Sequence, residues 1–339
     1  MKLFETGELG FLDSIKRFAK NNALVKFGFG DDAAILHDKS GKNHLAITTD
    51  LLVEDTHFSF KFCTPRELGV KAYEVNASDL AAMGAIPYAA FLSIGVRGDM
   101  DMQDMIAFYK GFESAARRHD CVIAGGDTVR AERLIVSVML IGLRPQNAPP
   151  MLRSSASPGE HVYITGAPGE SGMGLHLLIN GQNNSSDKRL QPLIKKHLLP
   201  KARIREGIAL ADARAVGAAI DISDGVYNEL RHISRMSKVR LVIETAKLPV
   251  SAGLKRECRR LGIDPLEMLL FGGEDYELLF TSPHPLSLIK KIFQDAGSKT
   301  HVQKIGGVEK GRGVIFVDAD GKRTSFADKT FRHFVFNGE

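Results

Sequence analysis

Acidic residues recur where apolar runs meet glycine-rich or hydroxyl-bearing stretches. They stand in Gly30-Asp31-Asp32, Thr48-Thr49-Asp50, Ser78-Asp79, Gly125-Gly126-Asp127, Asp221-Ile222-Ser223-Asp224 and Gly272-Gly273-Glu274-Asp275. A carboxylate on a tight turn at a strand end projects beyond the sheet edge, where a site can form. Gathered in one pocket, such groups would repel and raise one another's pKa. Hard divalent cations, Mg²⁺ foremost, would relieve that repulsion and bridge carboxylates to phosphate oxygens. Phosphate chemistry is therefore the leading expectation.

Several of these motifs also have a plainer reading. Gly28-Phe29-Gly30-Asp31-Asp32 fits a polar turn as well as a backbone cradle for phosphate with Asp32 on a metal. Thr48, Thr49 and Asp50 fit a strand that ends in a hydrogen-bonded turn, or a hard-oxygen set for Mg²⁺. Asp79 lies among small apolar residues on a helix that ought to be buried, so its charge requires a partner. Asp221 and Asp224 precede a helix that begins near Val226, and N-capping accounts for one of them. The run from Gly166 to Gly174 has the spacing GxxGxxGxG, which is neither the dinucleotide fingerprint nor a P-loop. Tight strand–helix packing is its expected role. No Ser-His-Asp or Cys-His signature stands out, and His57 is a lone histidine.

The elements that must position these residues alternate between strands and helices, which predicts an α/β fold with mixed sheets. An amphipathic helix within residues 1–27 leads into strands 33–37 and 44–49, the second ending at Asp50. A helix over 65–82 follows, with Pro65 in its first turn and Gly84 at its end. Strand 87–96, helix 101–119, strand 121–124 running into a Gly125-Gly126-Asp127 turn, and strand 133–143 complete the first half. Arg144 to Pro150 is proline-rich and polar and reads as the linker, giving domains 1–148 and 149–339. The second half reads as strands 160–165, 218–222, 239–244, 275–281, 301–306 and 313–318. Helices 173–180, 201–217, from 226, 251–261 and 285–296 intervene, with a polar loop over 181–188.

Bulk properties are those of a globular protein of 339 residues, with 44% apolar and 25% charged residues. The net charge of +5 is dispersed, aromatics are 7% and tryptophan is absent, so single-strand nucleic-acid binding is not expected. Cys63, Cys121 and Cys258 are far apart, which argues against a disulfide framework or zinc site and fits a cytoplasmic protein. Glu5 and Glu8 precede any apolar run, so no secretory signal is expected. The longest uncharged stretch, Leu80 to Val96, is shorter than the roughly 20 residues of a membrane span.

Taken in order, six stretches resemble the thiamine-monophosphate kinase family of the aminoimidazole ribonucleotide synthetase superfamily. They are Gly30 to Ala34, Thr49 to Val53 with His57-Phe58, Val75 to Ala85, Gly125 to Thr128, Ser223-Asp224-Gly225 and Gly272 to Leu278. The resemblance spans about residues 5–335, and it is the combination that is specific. It implies two α/β domains and a homodimer built through the N-terminal halves. It also implies direct transfer of the ATP γ-phosphoryl group to thiamine monophosphate with several Mg²⁺ ions and no covalent nucleophile. By position, Asp32, Thr48, Thr49, Asp50, Asp79, Asp127, Asp221 and Asp224 would be metal ligands. Gly126, Arg153 and Ser223 would meet the nucleotide, and His57, Glu274 and Phe331 the substrate. Glu54-Asp55-Thr56 departs from a glycine-containing stretch common in the family, and no tryptophan is present near Asp328 or Phe331 to stack on thiamine. The alternatives are a sibling synthetase, of the aminoimidazole ribonucleotide or selenophosphate type, and a non-catalytic nucleotide-binding protein. The first cysteine, Cys63, lies too late for the selenophosphate type.

Overall fold

The structure is a computed structural model that describes residues 10–19, 21–37, 42–182, 187–324 and 326–329. Among them, two mixed sheets form the frame. The first contains β1 (Val25–Phe27), β2 (Ala34–His37), β3 (Asn43–Val53), β4 (Ile86–Val96), β5 (Val122–Arg130) and β6 (Ile135–Pro145) in the order β1-β2-β3-β6-β4-β5. The second contains β7 (His161–Thr165), β8 (Ala219–Asp221), β9 (Arg240–Glu244), β10 (Leu278–Ser282), β11 (Val302–Glu309), β12 (Gly313–Val317) and β13 (Arg323–Thr324) in the order β13-β12-β9-β11-β7-β10-β8. The β4–β5 and β9–β12 pairs are parallel and the remainder antiparallel, as a mixed α/β fold requires.

Helix α1 (Pro65–Ala82) is the axis between the sheets. Thr64 and Glu67 close a capping box at its start, and Pro65 occupies the first turn. It is buried on nearly every side, so its polar residues all need partners. It crosses α2 (Met102–Ala116) so closely that a Cβ on Gly111 would lie 2.0 Å from Arg66 O. On its far side it meets α5 (Ile204–Asp212), where a Cβ on Gly207 would lie 2.1 Å from Ala81 O. One apolar core runs from Ile35 and Leu80 in the first half through to Leu193 and Phe293 in the second. A second core lies under the other sheet, with Ile220, Ile243 and Leu279 packed on α6 (Val226–Ser237).

Three expectations are corrected here. β3 does not end at Asp50: it pairs with β6 without a break from Asn43↔Pro145 to Val53↔Ile135, so Asp50 lies inside a strand. Gly125-Gly126-Asp127 is no turn either, because β5 continues through it to Arg130 beside β4. β6 runs on through Pro145, and Arg144 is buried rather than part of a linker, bonded to Asp212 (2.9 Å) and to Gly84 O (3.0 Å). Two helices were not foreseen, Gln191–Leu198 beyond the polar loop and Pro265–Phe271, which Asp264 caps. Residues 10–15 are helical, as expected. Phe331 and the end of the chain lie outside the described residues.

Candidate active site

The acids converge because α1 passes between the two sheets. Asp32 comes from the turn before β2, Asp79 from the last turn of α1 and Asp221 from the end of edge strand β8. Each offers an oxygen within 4.8 Å of the others. Thr48 donates its hydroxyl to Asp79, Ser78 donates to Asp221 (2.7 Å), and the Asp50 amide donates to Asn76 Oδ1 (3.1 Å). Burial, then Asp50, Asp221 and Asp32, drives the Asp79 carboxyl well above its ordinary value. Burial, then Asp32, does the same to Asp221, and Asp50 is pushed up to about 6 by burial, Asp224 and Asp32. Full ionisation of this set therefore requires added positive charge.

The donors fit a hard divalent cation. They are carboxylate and hydroxyl oxygens, and Asp32 Oδ2 is buried with no hydrogen-bond partner among the described residues. Arg153 supplies one positive charge by pairing with Asp32, while its amide donates to Asp31 Oδ1 (2.8 Å). Glu229 of α6, not foreseen from the sequence, accepts from the Asp224 amide (3.1 Å). Burial and then Asp224 raise its carboxyl. Beyond Asp224 a cavity of about 350 Å³ opens, lined by Asn228, Arg231, His232, Arg235, Lys238 and Arg312.

Not every expected ligand joins the cluster. Even-numbered residues of β3 face the core, so Thr48 is buried and Asp50 lies on the same side, while Thr49 points to the other, exposed face. In register, Asp50 lies beside Val138, Leu92 and Gly126, whereas Asp127 shares the row of Leu51, Ser137 and Ser93 on the exposed face. Asp127 is thus about 14 Å away, three strand spacings, and on the opposite side. Within this chain, Thr49, Gly126 and Asp127 are not brought to the acids.

The segment Gly273 to Glu277 divides its side chains between two sides. Glu274 and Tyr276 both have left-handed backbone, with φ of 53° and 52°, an unfavourable conformation for bulky residues. Glu274 accepts from Lys71 of α1 (2.9 Å) and lies 3.2 Å from His197 Nδ1. Burial alone would raise its carboxyl, but the positive charge of Lys71 foremost outweighs burial and holds it below its ordinary value. Tyr276 lies near the acids: burial, then Glu274, Asp50, Asp221 and Asp224, raise its hydroxyl. On the other side, Asp275 accepts from the Gly169 and Ser171 amides (2.7 and 3.2 Å) at the start of α3 (Glu170–Ile179). That helix end holds the chain's own carboxylate, so the Gly166–Gly174 run serves packing, as expected. Glu277 pairs with Arg203 and with Lys196 (3.1 Å).

His57 sits in the turn after β3, and its Nδ1 accepts from the Val53 amide (3.1 Å), placing the ring proton on Nε2. The unusual Glu54-Asp55-Thr56 has a physical account. Asp55 has φ of 61°, the region where glycine is at ease and aspartate is tolerated. Ser223 contributes its carbonyl to the Glu274 amide (2.6 Å). Lys71 and His197 were not foreseen from the sequence. The available signal was Lys71 and Ser78, seven apart on one face of the helix that also bears Asp79.

Two family descriptions divide this architecture: residues 30–144 match the N-terminal domain of AIR synthase related proteins, and residues 157–318 match their C-terminal domain. The protein class is thus a two-domain AIR synthase relative. The chain is 35% identical to the thiamine-monophosphate kinase of Aquifex aeolicus across 98% of this chain and 100% of that one. Against the enzyme of that name from Bacillus subtilis it is 33% identical, covering 96% and 99%. A solved structure described as AaThiL complexed with AMPPCP and TMP superposes with a TM-score of 0.85 at 34% identity, covering 98% and 99%. This chain belongs to the thiamine-monophosphate kinase family.

Proposed function

We propose that the protein transfers the γ-phosphoryl group of ATP to the phosphate of thiamine monophosphate, forming thiamine diphosphate. The observation that carries this reading is the acid cluster of Asp32, Asp79 and Asp221 at the seam of the two sheets, in a chain of this family. Asp32, Thr48, Asp50, Asp79, Asp221 and Asp224 would hold Mg²⁺, which would neutralise phosphate charge and align the two phosphates. Arg153 and Ser223 flank that position and would meet the nucleotide, with the cationic cavity beside α6 receiving its remaining negative charge. His57 and Glu274 would contact the substrate from the other end.

No covalent nucleophile is required. The three cysteines are buried, and burial pushes the Cys63 thiol up to about 12 and those of Cys121 and Cys258 up to about 11. Transfer between two phosphates depends on in-line placement and charge stabilisation rather than on a protein nucleophile. Unpaired thiols also fit a cytoplasmic location, and no helix among the described residues is long and apolar enough to cross a membrane.

A homodimer would complete the assembly. All of β5 is exposed, and the open face of its sheet carries Leu51 and Val129, 53% and 57% exposed. A second copy on that face would cover these side chains and bring the Thr49 and Asp127 of both copies to the seam between them. Units of 1–148 and 149–339 would then divide assembly from substrate closure. The test is ADP release coupled to thiamine monophosphate, with free thiamine as control. Turnover with the monophosphate and little with thiamine is expected. Turnover of a different phosphorylated acceptor alone would overturn the substrate.

A further inference from the structure

We infer that Lys71 is a positioning residue for substrate recognition, holding the Glu274 carboxylate at the ring end of the substrate; this rests on the function proposed above. Lys71 lies on α1 eight residues before Asp79, about 12 Å along the helix axis. Lys71 thus stands two helical turns before the acid that α1 brings to the cluster, toward the start of the helix. Lys71 is sealed, with 2% of its side chain exposed, whereas Glu274 is 26% exposed. The lysine therefore acts through its partner. Its ammonium donates to Glu274 (2.9 Å) and approaches His57 O (3.4 Å), so one buried cation ties together both expected substrate contacts.

His197 completes the support from the second half of the chain, 3.2 Å from Glu274 and 3.3 Å from Ser171 Oγ. Burial, then Lys71, lowers its pKa to about 4, so the ring is neutral at physiological pH. Lys71 thus supplies the positive charge that keeps Glu274 an anion. An ionised carboxylate fixed in this way accepts hydrogen bonds and favours a ring bearing an exposed amino group, as in the aminopyrimidine of thiamine.

The experiment uses the full-length protein, with kcat and KM measured for thiamine monophosphate and ATP. Lys71→Met should raise KM for thiamine monophosphate about tenfold or more, with KM for ATP within about twofold. Lys71→Arg, which keeps the charge, should recover most of that loss. The double variant Lys71→Met/Glu274→Gln removes both charges together, so it should regain thermal stability while KM stays high. Wild-type protein should also prefer the amino substrate over its ring-oxo analogue, and the double variant should lose this preference. Equal changes in both KM values, or a fall in melting temperature alone, would reduce Lys71 to a structural residue. Absence of wild-type turnover with thiamine monophosphate would instead overturn the function on which the inference depends.

Discussion

Asp50 shows what a single residue can report about the site. Its carboxyl is raised from 3.8 to about 6, by burial first and then by Asp224 and Asp32. A group raised in the folded state stabilises the fold below its unfolded pKa and loses that contribution as pH rises through its folded pKa. Metal-free protein should therefore lose stability between about pH 4 and 6 through this group. Asp50→Asn should flatten that loss and raise the melting temperature in chelator at neutral pH by roughly 2–4 °C, while lowering kcat about 100-fold or more. Calorimetry showing a less stable variant would make Asp50 structural. For the wild type, chelator should abolish activity, and Mg²⁺ should restore it while raising the melting temperature more at neutral than at acid pH. The acids themselves were legible in the sequence, because buried carboxylates among apolar residues demand a partner. Their separation into facing and non-facing sets was not. Thr48 and Thr49 are identical and adjacent, and only strand pairing distinguishes them.

Elements carry the geometry, and α1 carries most of it. Its bounds could be read from Pro65 at one end and Gly84 beyond the other, since helix starts and stops are local chemistry. The extents of β3 and β5 could not, because a strand continues as long as its neighbour does, and that neighbour is distant in sequence. The two ends of α1 should respond differently to mutation. Thr64→Ala removes the cap and should cost about 1 kcal/mol with kcat unchanged. Gly207→Ala would set a Cβ 2.1 Å from Ala81 O, two residues from Asp79. It should cost about 1–3 kcal/mol and also lower kcat, because it displaces the end of α1 that bears Asp79. Urea denaturation paired with steady-state rates separates the two cases. Loss of stability without loss of kcat in Gly207→Ala would show that Asp79 tolerates movement of its helix.

At the scale of the whole molecule, the two-sheet plan was legible from alternating patterns, but the single core that joins its halves was not. Such a core depends on α1 packing against both sheets at once. The open face of the first sheet should govern assembly. Val129→Glu introduces a charge there and should halve the mass seen by sedimentation, and activity should fall with it if a second copy supplies Asp127. A monomeric wild type would remove that explanation for the exposed apolar residues. The alternation along β3 has one more consequence. The same strand presents Thr48 and Asp50 inward and Thr49 and Leu51 outward, so one ribbon of backbone is written on both sides. Deleting a single residue early in β3 would turn the page: the outward text would face the acids and the inward text the surface. A one-residue insertion or deletion within this strand should therefore abolish the acid cluster, whereas one in a loop beyond it leaves the register intact.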